Sequence, residues 1–330
     1  MLEIDNLTVQ YQTDDGPIVA VDDVSLSVES DEIVGIVGES GCGKSTLLKA
    51  IQRILSENAA VPSGEIRVDG TDILDLPLPE FRSEYALQQV STIPQASMDS
   101  LDPIFTIRSQ LAESIRVHED DVSKAEIDER IHERIAEMGL DESVIDKYPH
   151  ELSGGQVQRI LIANSFILEP TTVLADEPTT GLDLLTKTRI LKWLKRHQRQ
   201  NNFGLLLISH DLPLVAQMSD KLGVMYSGQL IEYGDAEELF NNPSHPYTKG
   251  LIDSTMHIGK DEASSHIPGS PPTIREGHEG CKFESRCPYR FEDCSQTPEL
   301  DETEGHHVAC HLSTEEMEAM RKEPQDVYAK

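Results

Sequence analysis

Near its start the chain alternates apolar and polar residues. Leu2, Ile4, Leu7, Val9 and Tyr11 roughly alternate with polar neighbours, as do Val19, Val21, Val24, Leu26 and Val28. Thr13-Asp14-Asp15-Gly16-Pro17 between them is a turn-forming cluster, so the segment is expected to fold as an antiparallel hairpin. Ile33-Val34-Gly35-Ile36-Val37 is instead a short continuous apolar run, the pattern of a strand buried on both faces. Thr172 to Ala175 and Leu205 to Ile208 repeat that pattern, each after a helical stretch. Buried strands alternating with helices predict a parallel α/β sheet.

From about Ala96 to Leu168 the period changes. Ile107, Leu111 and Ile115, then Ile127, Ile131, Ile135 and Met138, recur at helical spacing among charged residues. This predicts a helical subdomain inserted into the sheet domain. Beyond about Ala236 the strand pattern stops, and Gly259 to Gly280 is rich in Gly, Pro and Ser. The expectation is a linker into a small cysteine-bearing tail. No internal repeat is evident.

At 330 residues and 38% hydrophobic, the chain can bury one large domain plus an appendage, or two domains. No apolar run approaches the roughly 18–20 residues needed to span a bilayer. The acidic, alternating start is unlike a signal peptide. A cytosolic chain is expected, with any membrane attachment made through a partner. Acidic residues number 59 against 28 basic, a formal net charge of −31. Nucleic-acid binding, which needs clustered Lys and Arg, is therefore disfavoured. Such a charge destabilises a compact state through self-repulsion unless salt screens it. It serves either ordinary solubility or a salt-rich cytoplasm such as a halophile's. Short acidic pairs spread along the chain (Asp14-Asp15, Asp22-Asp23, Asp120-Asp121, Glu237-Glu238) fit the salt-adapted surface better than a binding tail.

Candidate chemistry starts directly after the first buried strand. Gly38-Glu39-Ser40-Gly41-Cys42-Gly43-Lys44-Ser45-Thr46 matches the phosphate-loop pattern between a strand and a helix. Its glycines let the backbone wrap phosphates, and the amides of Gly41 to Thr46 point at them from a helix start. Lys44 supplies positive charge to the β- and γ-phosphates of a nucleotide, and the Ser45 hydroxyl can ligate Mg²⁺. Val173-Leu174-Ala175-Asp176-Glu177 ends a buried strand in two carboxylates. Alone these could be a solvated turn. Paired with a phosphate loop, Asp176 is suited to hold Mg²⁺ and Glu177 to polarise an attacking water.

A phosphate loop alone would also suit kinases, GTPases or helicases. Leu152-Ser153-Gly154-Gly155-Gln156 narrows the choice, because it is a second anion-binding helix start. A chain that already grips phosphates gains from it only if it faces another subunit's ATP. With these residues in place the chain, over about Met1 to Asp235, resembles the ABC ATPases. The resemblance assigns Gln95 as the Q-loop glutamine, which joins Ser45 and Asp176 around Mg²⁺, and Asp183 as the D-loop aspartate. It assigns His210 as the switch histidine and Tyr11 as the aromatic that stacks on adenine. Ser153, Gly154, Gly155, Gln156 and Asp183 would then serve the partner's nucleotide. Departures are small: Pro94 precedes the Q-loop glutamine, Cys42 replaces the commoner Ser, and Val157 follows the signature.

Asn242 to Leu251, containing His245-Pro246-Tyr247-Thr248, resembles the opening of the C-terminal extension of oligopeptide, dipeptide and nickel importer ATPases. Ala96 to Pro103 resembles that family's Q-loop continuation. The resemblance implies peptide cargo, with nickel or oligosaccharide as alternatives. It also implies a second, related ATPase in a heterodimer, two permease subunits and an external substrate-binding protein, with the chain at the cytoplasmic face of the membrane. A soluble ABC ATPase of DNA repair or translation is the rival. Such proteins usually carry a long coiled coil or two ATPase domains, and this chain has neither.

Cys281, Cys287, Cys294 and Cys310 leave five, six and fifteen residues between successive cysteines. A cytosolic location argues against disulfides, and a polar tail with little apolar core of its own suggests a metal centre. The spacing is not that of a zinc ribbon. It resembles the iron–sulfur cysteines in the tails of some peptide-importer ATPases, which implies a [4Fe–4S] cluster. His278, His306, His307 and His311 keep zinc open, and a metal-free tail is the third alternative. The expected architecture is thus an α/β phosphate-loop ABC ATPase over residues 1–235. It has a mixed-sheet core, an antiparallel β subdomain, a helical subdomain at about 96–168, and a metal-binding extension at 236–330.

Overall fold

The computed structural model describes residues 1–95, 100–256, 267–303 and 306–323. The chain opens with strands β1 (Leu2–Tyr11), β2 (Ile18–Val28) and β3 (Ile33–Val37), helix α1 (Lys44–Ile51), and strands β4 (Ala59–Val68) and β5 (Thr71–Asp72). A single turn, α2 (Leu78–Glu80), and strand β6 (Val90–Ile93) lead to helices α3 (Ile107–Arg116), α4 (Lys124–Glu137) and α5 (Gly154–Ser165). Next come β7 (Thr172–Asp176), α6 (Leu184–Asn201), β8 (Gly204–Ile208), α7 (Leu212–Met218), β9 (Lys221–Tyr226) and β10 (Gln229–Asp235). The remainder holds α8 (Ala236–Asn241), α9 (Pro246–Met256), β11 (Asp301–Thr303), β12 (His306–Val308) and α10 (Thr314–Lys322).

These elements form two compact units. The first comprises Met1–Leu2, Val28–Glu32 and Arg67–Leu207. Its β6 and β7 pair in parallel, Val90 opposite Thr172 and Ile93 opposite Ala175, with β8 next in strand order. Helices α3, α4 and α5 pack on one another. Ile107, Leu111 and Ile115 of α3 and Ile127, Ile131 and Ile135 of α4 are buried, as their spacing predicts. Each such side chain contributes roughly 1.5–3 kcal/mol of burial. Thr106 and Ser123 cap the two helices by accepting the amides of Ser109 and Glu126. Residues 96–99, the first part of the resembled Q-loop continuation and the expected start of this insertion, lie outside the described residues.

The second unit comprises Glu3–Ser27, Ile33–Ile66 and Ile208–Lys330. One of its sheets runs β2-β1-β4, with the predicted hairpin strands as neighbours. The other runs β3-β9-β10-β12-β11 and is mixed: β3 is parallel to β9, whereas β9–β10, β10–β12 and β12–β11 are antiparallel. All five residues of β3 are buried. A Cβ on Gly35 would lie 2.1 Å from Val215 Cγ1 and 2.5 Å from Ser219 Oγ, so α7 can close on β3 only over a glycine.

Three expectations for the tail are corrected here. Strands do not stop at Ala236, because β12 adds to the edge of β10 with Glu232 opposite Val308 and Tyr233 opposite His307. The expected linker is in part packed structure. Residues 257–266 lie outside the described residues, but Ile267 and Ile274 are buried, and Ile274 O accepts the Val19 amide at 2.9 Å. The tail also has an apolar core. Phe283 is 1% exposed among Tyr226, Tyr247 and His245, and Met317 and Met320 of α10 are buried. Its organisation therefore does not rest on a metal alone. No helix among the described residues is long and apolar enough to cross a membrane.

Candidate active site

The phosphate loop joins β3 to α1 in the second unit. Gly38, Gly41 and Gly43 have φ of 153°, 81° and 110°. The conformation excludes side chains sterically as well. A Cβ on Gly43 would lie 2.3 Å from Ala20 O, and one on Gly38 2.2 Å from Met225 O. Consecutive amides of a loop wound this way, ending at the start of a helix, form an anion cradle. Lys44, 8% exposed, lies across the loop and donates to Gly38 O at 2.7 Å and Glu39 O at 2.9 Å. Cys42 points inward with its Sγ 3.4 Å from that ammonium, and burial raises its pKa, so its thiol stays protonated. Ser45 and Thr46 follow in the first turn of α1. Tyr11, at the end of β1, has its hydroxyl 3.4 Å from Thr46 Oγ1, which places the candidate adenine-stacking ring beside the loop helix. His210 is exposed just beyond the buried β8.

The acidic residues belong to the first unit. Strand β7 buries Thr172 to Ala175 and leaves Asp176 half-buried at its end, followed by Glu177. Glu177 has φ +46°, a left-handed conformation that costs a non-glycine residue about 1 kcal/mol or more. Its Oε2 accepts the Thr180 hydroxyl at 2.8 Å and Gln95 Nε2 at 3.4 Å. Residues 82 positions apart thus meet at one carboxylate. Pro94, a departure at sequence level, is accommodated: its carbonyl accepts Gln158 Nε2 at 3.4 Å. The same amide donates to Pro178 O at 2.8 Å. Gln158 is fully buried and ties the segment before Gln95 to the one after Glu177. Sequence reasoning passed over it, and the available signal was one amide among Val157, Ile160 and Leu161.

Ser153 is the N-cap of α5 in a capping box: its amide donates to Gln156 Oε1 at 2.9 Å, and its Oγ accepts the Gln156 amide at 3.4 Å. Ser153 and Gly154 are exposed, and the Cβ position of Gly154 meets nothing within 4 Å. The signature is therefore an open helix start facing outward. Asp183 caps α6, accepting the Leu185 and Thr186 amides at 3.0 and 3.1 Å and the Thr186 hydroxyl at 2.6 Å. The Thr186 bonds hold its carboxyl below the usual range.

The His-Pro-Tyr segment is built around a buried carboxylate. Glu232, 0% exposed, accepts the amides of Ser244 at 2.5 Å and His245 at 3.1 Å. Burial drives the His245 pKa down to about 3, so its neutral ring can accept the Tyr247 amide at Nδ1, 3.0 Å away. Tyr247, fully buried, then accepts the amide of Glu39 in the phosphate loop at 2.9 Å.

The cysteines require a correction. Among the described residues no group of three or more His, Cys, Asp or Glu is arranged to hold a metal ion. All four tail thiols are free, and burial pushes Cys287 and Cys310 up to about 12, which keeps them protonated. A ready-made zinc site is thus absent among the described residues. The cysteines are nonetheless neighbours. Thiols of Cys310, Cys281 and Cys294 each add to the rise at Cys287, and the Cys281 amide donates to Cys294 O at 2.9 Å.

A nucleotide loop in one chain with a second, outward-facing Ser-Gly-Gly helix start is the arrangement of the ABC-type ATPases, and the family described as ABC transporter matches residues 21–180. A second family, described as oligopeptide/dipeptide transporter, C-terminal region, matches residues 231–294. The oligopeptide transport ATP-binding protein OppD of Escherichia coli is 38% identical over 96% of this chain and 94% of its own length. The dipeptide transport ATP-binding protein DppD of Caldanaerobacter subterraneus is 35% identical over 96% of this chain and 98% of its own. A dimeric ATP-binding cassette solved in a post-hydrolysis state with ADP and phosphate matches with a TM-score of 0.65 at 26% identity, covering 72% of this chain and 99% of that one. The chain is an ATPase with the ABC cassette fold, and it belongs to the oligopeptide/dipeptide ABC transporter ATP-binding family.

Proposed function

We propose that this chain is the ATP-hydrolysing subunit of an importer of dipeptides and oligopeptides. The observation that carries the peptide reading is the C-terminal region, residues 231–294, whose His-Pro-Tyr segment is built into the fold beside the phosphate loop. In this reading the chain works at the cytoplasmic face of the membrane. It pairs with a related ATPase in a heterodimer, drives two permease subunits and responds to an external substrate-binding protein. Loop amides and Lys44 bind the β- and γ-phosphates, and Tyr11 stacks on adenine. Ser45, Asp176 and Gln95 are the residues that would hold Mg²⁺, which would supply positive charge to neutralise the phosphates. Glu177 takes the proton of the attacking water, oriented by Gln95 and Thr180, and His210 completes the hydrolytic set. Ser153 to Gln156 and Asp183 act on the partner's nucleotide. The test is ATP hydrolysis by the assembled transporter in vesicles. Short peptides with the binding protein should stimulate it; stimulation by nickel or oligosaccharides and not by peptides would overturn the cargo assignment.

The four tail cysteines are proposed to carry a [4Fe–4S] cluster, which spreads its ligands over a wider volume than a single ion. The mutual proximity of the thiols supports this. Ligation requires thiolates, so assembly must overcome the raised pKa of Cys287 and Cys310 by releasing their protons. Protein purified without oxygen should be brown, with about four iron and four sulfide per chain, and Cys287→Ser should bleach it while ATP still binds. Colourless anaerobic protein with stoichiometric zinc would replace the cluster with zinc, and metal-free protein would exclude both.

The net charge of −31 is proposed to be an adaptation to a salt-rich cytoplasm. Screening shortens the range of self-repulsion from about 10 Å at 0.1 M salt to about 3 Å at 1 M. The melting temperature should therefore climb steeply from low to molar KCl. A flat or falling trend would exclude the adaptation.

A further inference from the structure

One buried cation of the extension reaches the phosphate loop. Glu39 is the second residue of that loop, and Arg286 grips its carboxylate with a two-pronged contact, Nη1 to Oε2 at 2.6 Å and Nη2 to Oε1 at 3.0 Å. The Arg286 side chain is 4% exposed. Its Nε donates to Pro268 O at 2.8 Å, and Nη1 also reaches the Tyr226 hydroxyl at 3.3 Å. The guanidinium lies over the rings of Tyr226 and Phe283, 5.6 and 6.0 Å from their centroids. Burial works against its charge, but Glu39 and Tyr226 outweigh burial and raise its pKa. An arginine fixed on so many sides is a rigid anchor, which a lysine could not reproduce.

The backbone of Glu39 is held at the same time. Its amide donates to the Tyr247 hydroxyl at 2.9 Å, and its carbonyl accepts Lys44 Nζ at 2.9 Å. Two residues of the extension thus grip the loop residue whose carbonyl meets the loop lysine. The charge matters as much as the geometry. A carboxylate in a loop that binds polyphosphate has the wrong sign, and Arg286 pairs with it to offset that charge.

We propose that Arg286 is a positioning residue for ATP: from the C-terminal extension it holds and neutralises Glu39, so that the phosphate loop is set to receive nucleotide, with Tyr247 fixing the amide of the same residue. A contact that merely glued the extension in place would not be relieved by neutralising its partner, and this separates the two roles. In the full-length chain, Arg286→Met should weaken binding of a fluorescent ATP analogue by about tenfold. It should raise KM for MgATP in the assembled ATPase by a similar factor, with kcat within about twofold of the parent. Adding Glu39→Gln to Arg286→Met should restore most of the affinity. Tyr247→Phe keeps the ring and loses the amide's acceptor, and should raise KM about two- to fivefold. Unchanged affinity in Arg286→Met, or a loss that Glu39→Gln does not relieve, would overturn the proposal. If Arg286→Met fails to fold, Arg286→Lys and Tyr247→Phe decide: wild-type KM in both would overturn it, and a raised KM in both supports it.

Discussion

Glu177→Gln is expected to bind MgATP and hydrolyse it at least about 10²-fold more slowly than the parent, measured in the assembled ATPase. The substitution is nearly isosteric, and its side-chain carbonyl can still accept the Thr180 hydroxyl now 2.8 Å from Oε2. What it loses is the capacity to take a proton. The left-handed backbone at this position, φ +46°, aims the carboxylate and is unaffected by the change of one terminal atom. Nucleotide affinity should therefore survive, because the loop and Lys44 belong to another part of the chain. A closed, ATP-loaded dimer should accumulate and be visible by size-exclusion chromatography. Wild-type turnover would remove Glu177 from the role of base.

Ser153→Arg should abolish hydrolysis by the dimer while leaving ATP binding to the isolated chain intact. The loss of a serine N-cap costs roughly 0.5–2 kcal/mol, which a domain with so large a buried core tolerates. The larger effect is steric. Ser153 is exposed at an open helix start, with nothing within 4 Å of the Gly154 Cβ position, so a long side chain there fills the space an incoming phosphate would use. Equilibrium binding to the monomer and turnover of the dimer separate the two effects. Lost ATP binding in the isolated chain would mean that the signature does not work across an interface.

The parts of the fold legible in the sequence were those whose physics is local. Ile33 to Val37 announced a strand because both faces are buried, and Ile107, Leu111 and Ile115 announced a helix because one face is. The loop glycines were readable for the same reason, since each answers to its own φ and immediate neighbours. The tail was not legible. β12 is three residues long and depends on Glu232 and Tyr233 of β10, more than 70 positions earlier, so no alternation could reveal it. Phe283 looked like an isolated aromatic until Tyr226, Tyr247 and His245 closed around it. Gln158 and Arg286 were silent because a polar side chain's partner leaves no periodic trace. The acids were located by motif, but the contact of Gln95 with Glu177 is a matter of distance, and only coordinates supply it.

The pairing of Glu39 with Arg286 spans 247 positions, and it sets a schedule for synthesis. At about 5–20 residues per second, a ribosome that has just made the phosphate loop needs roughly 12–50 s more to supply its arginine. For that time the loop exists without Arg286 at its carboxylate, and for most of it the Glu39 amide is also without Tyr247, 208 positions on. On the role proposed for Arg286, a nascent chain would bind nucleotide more weakly until that residue has been made.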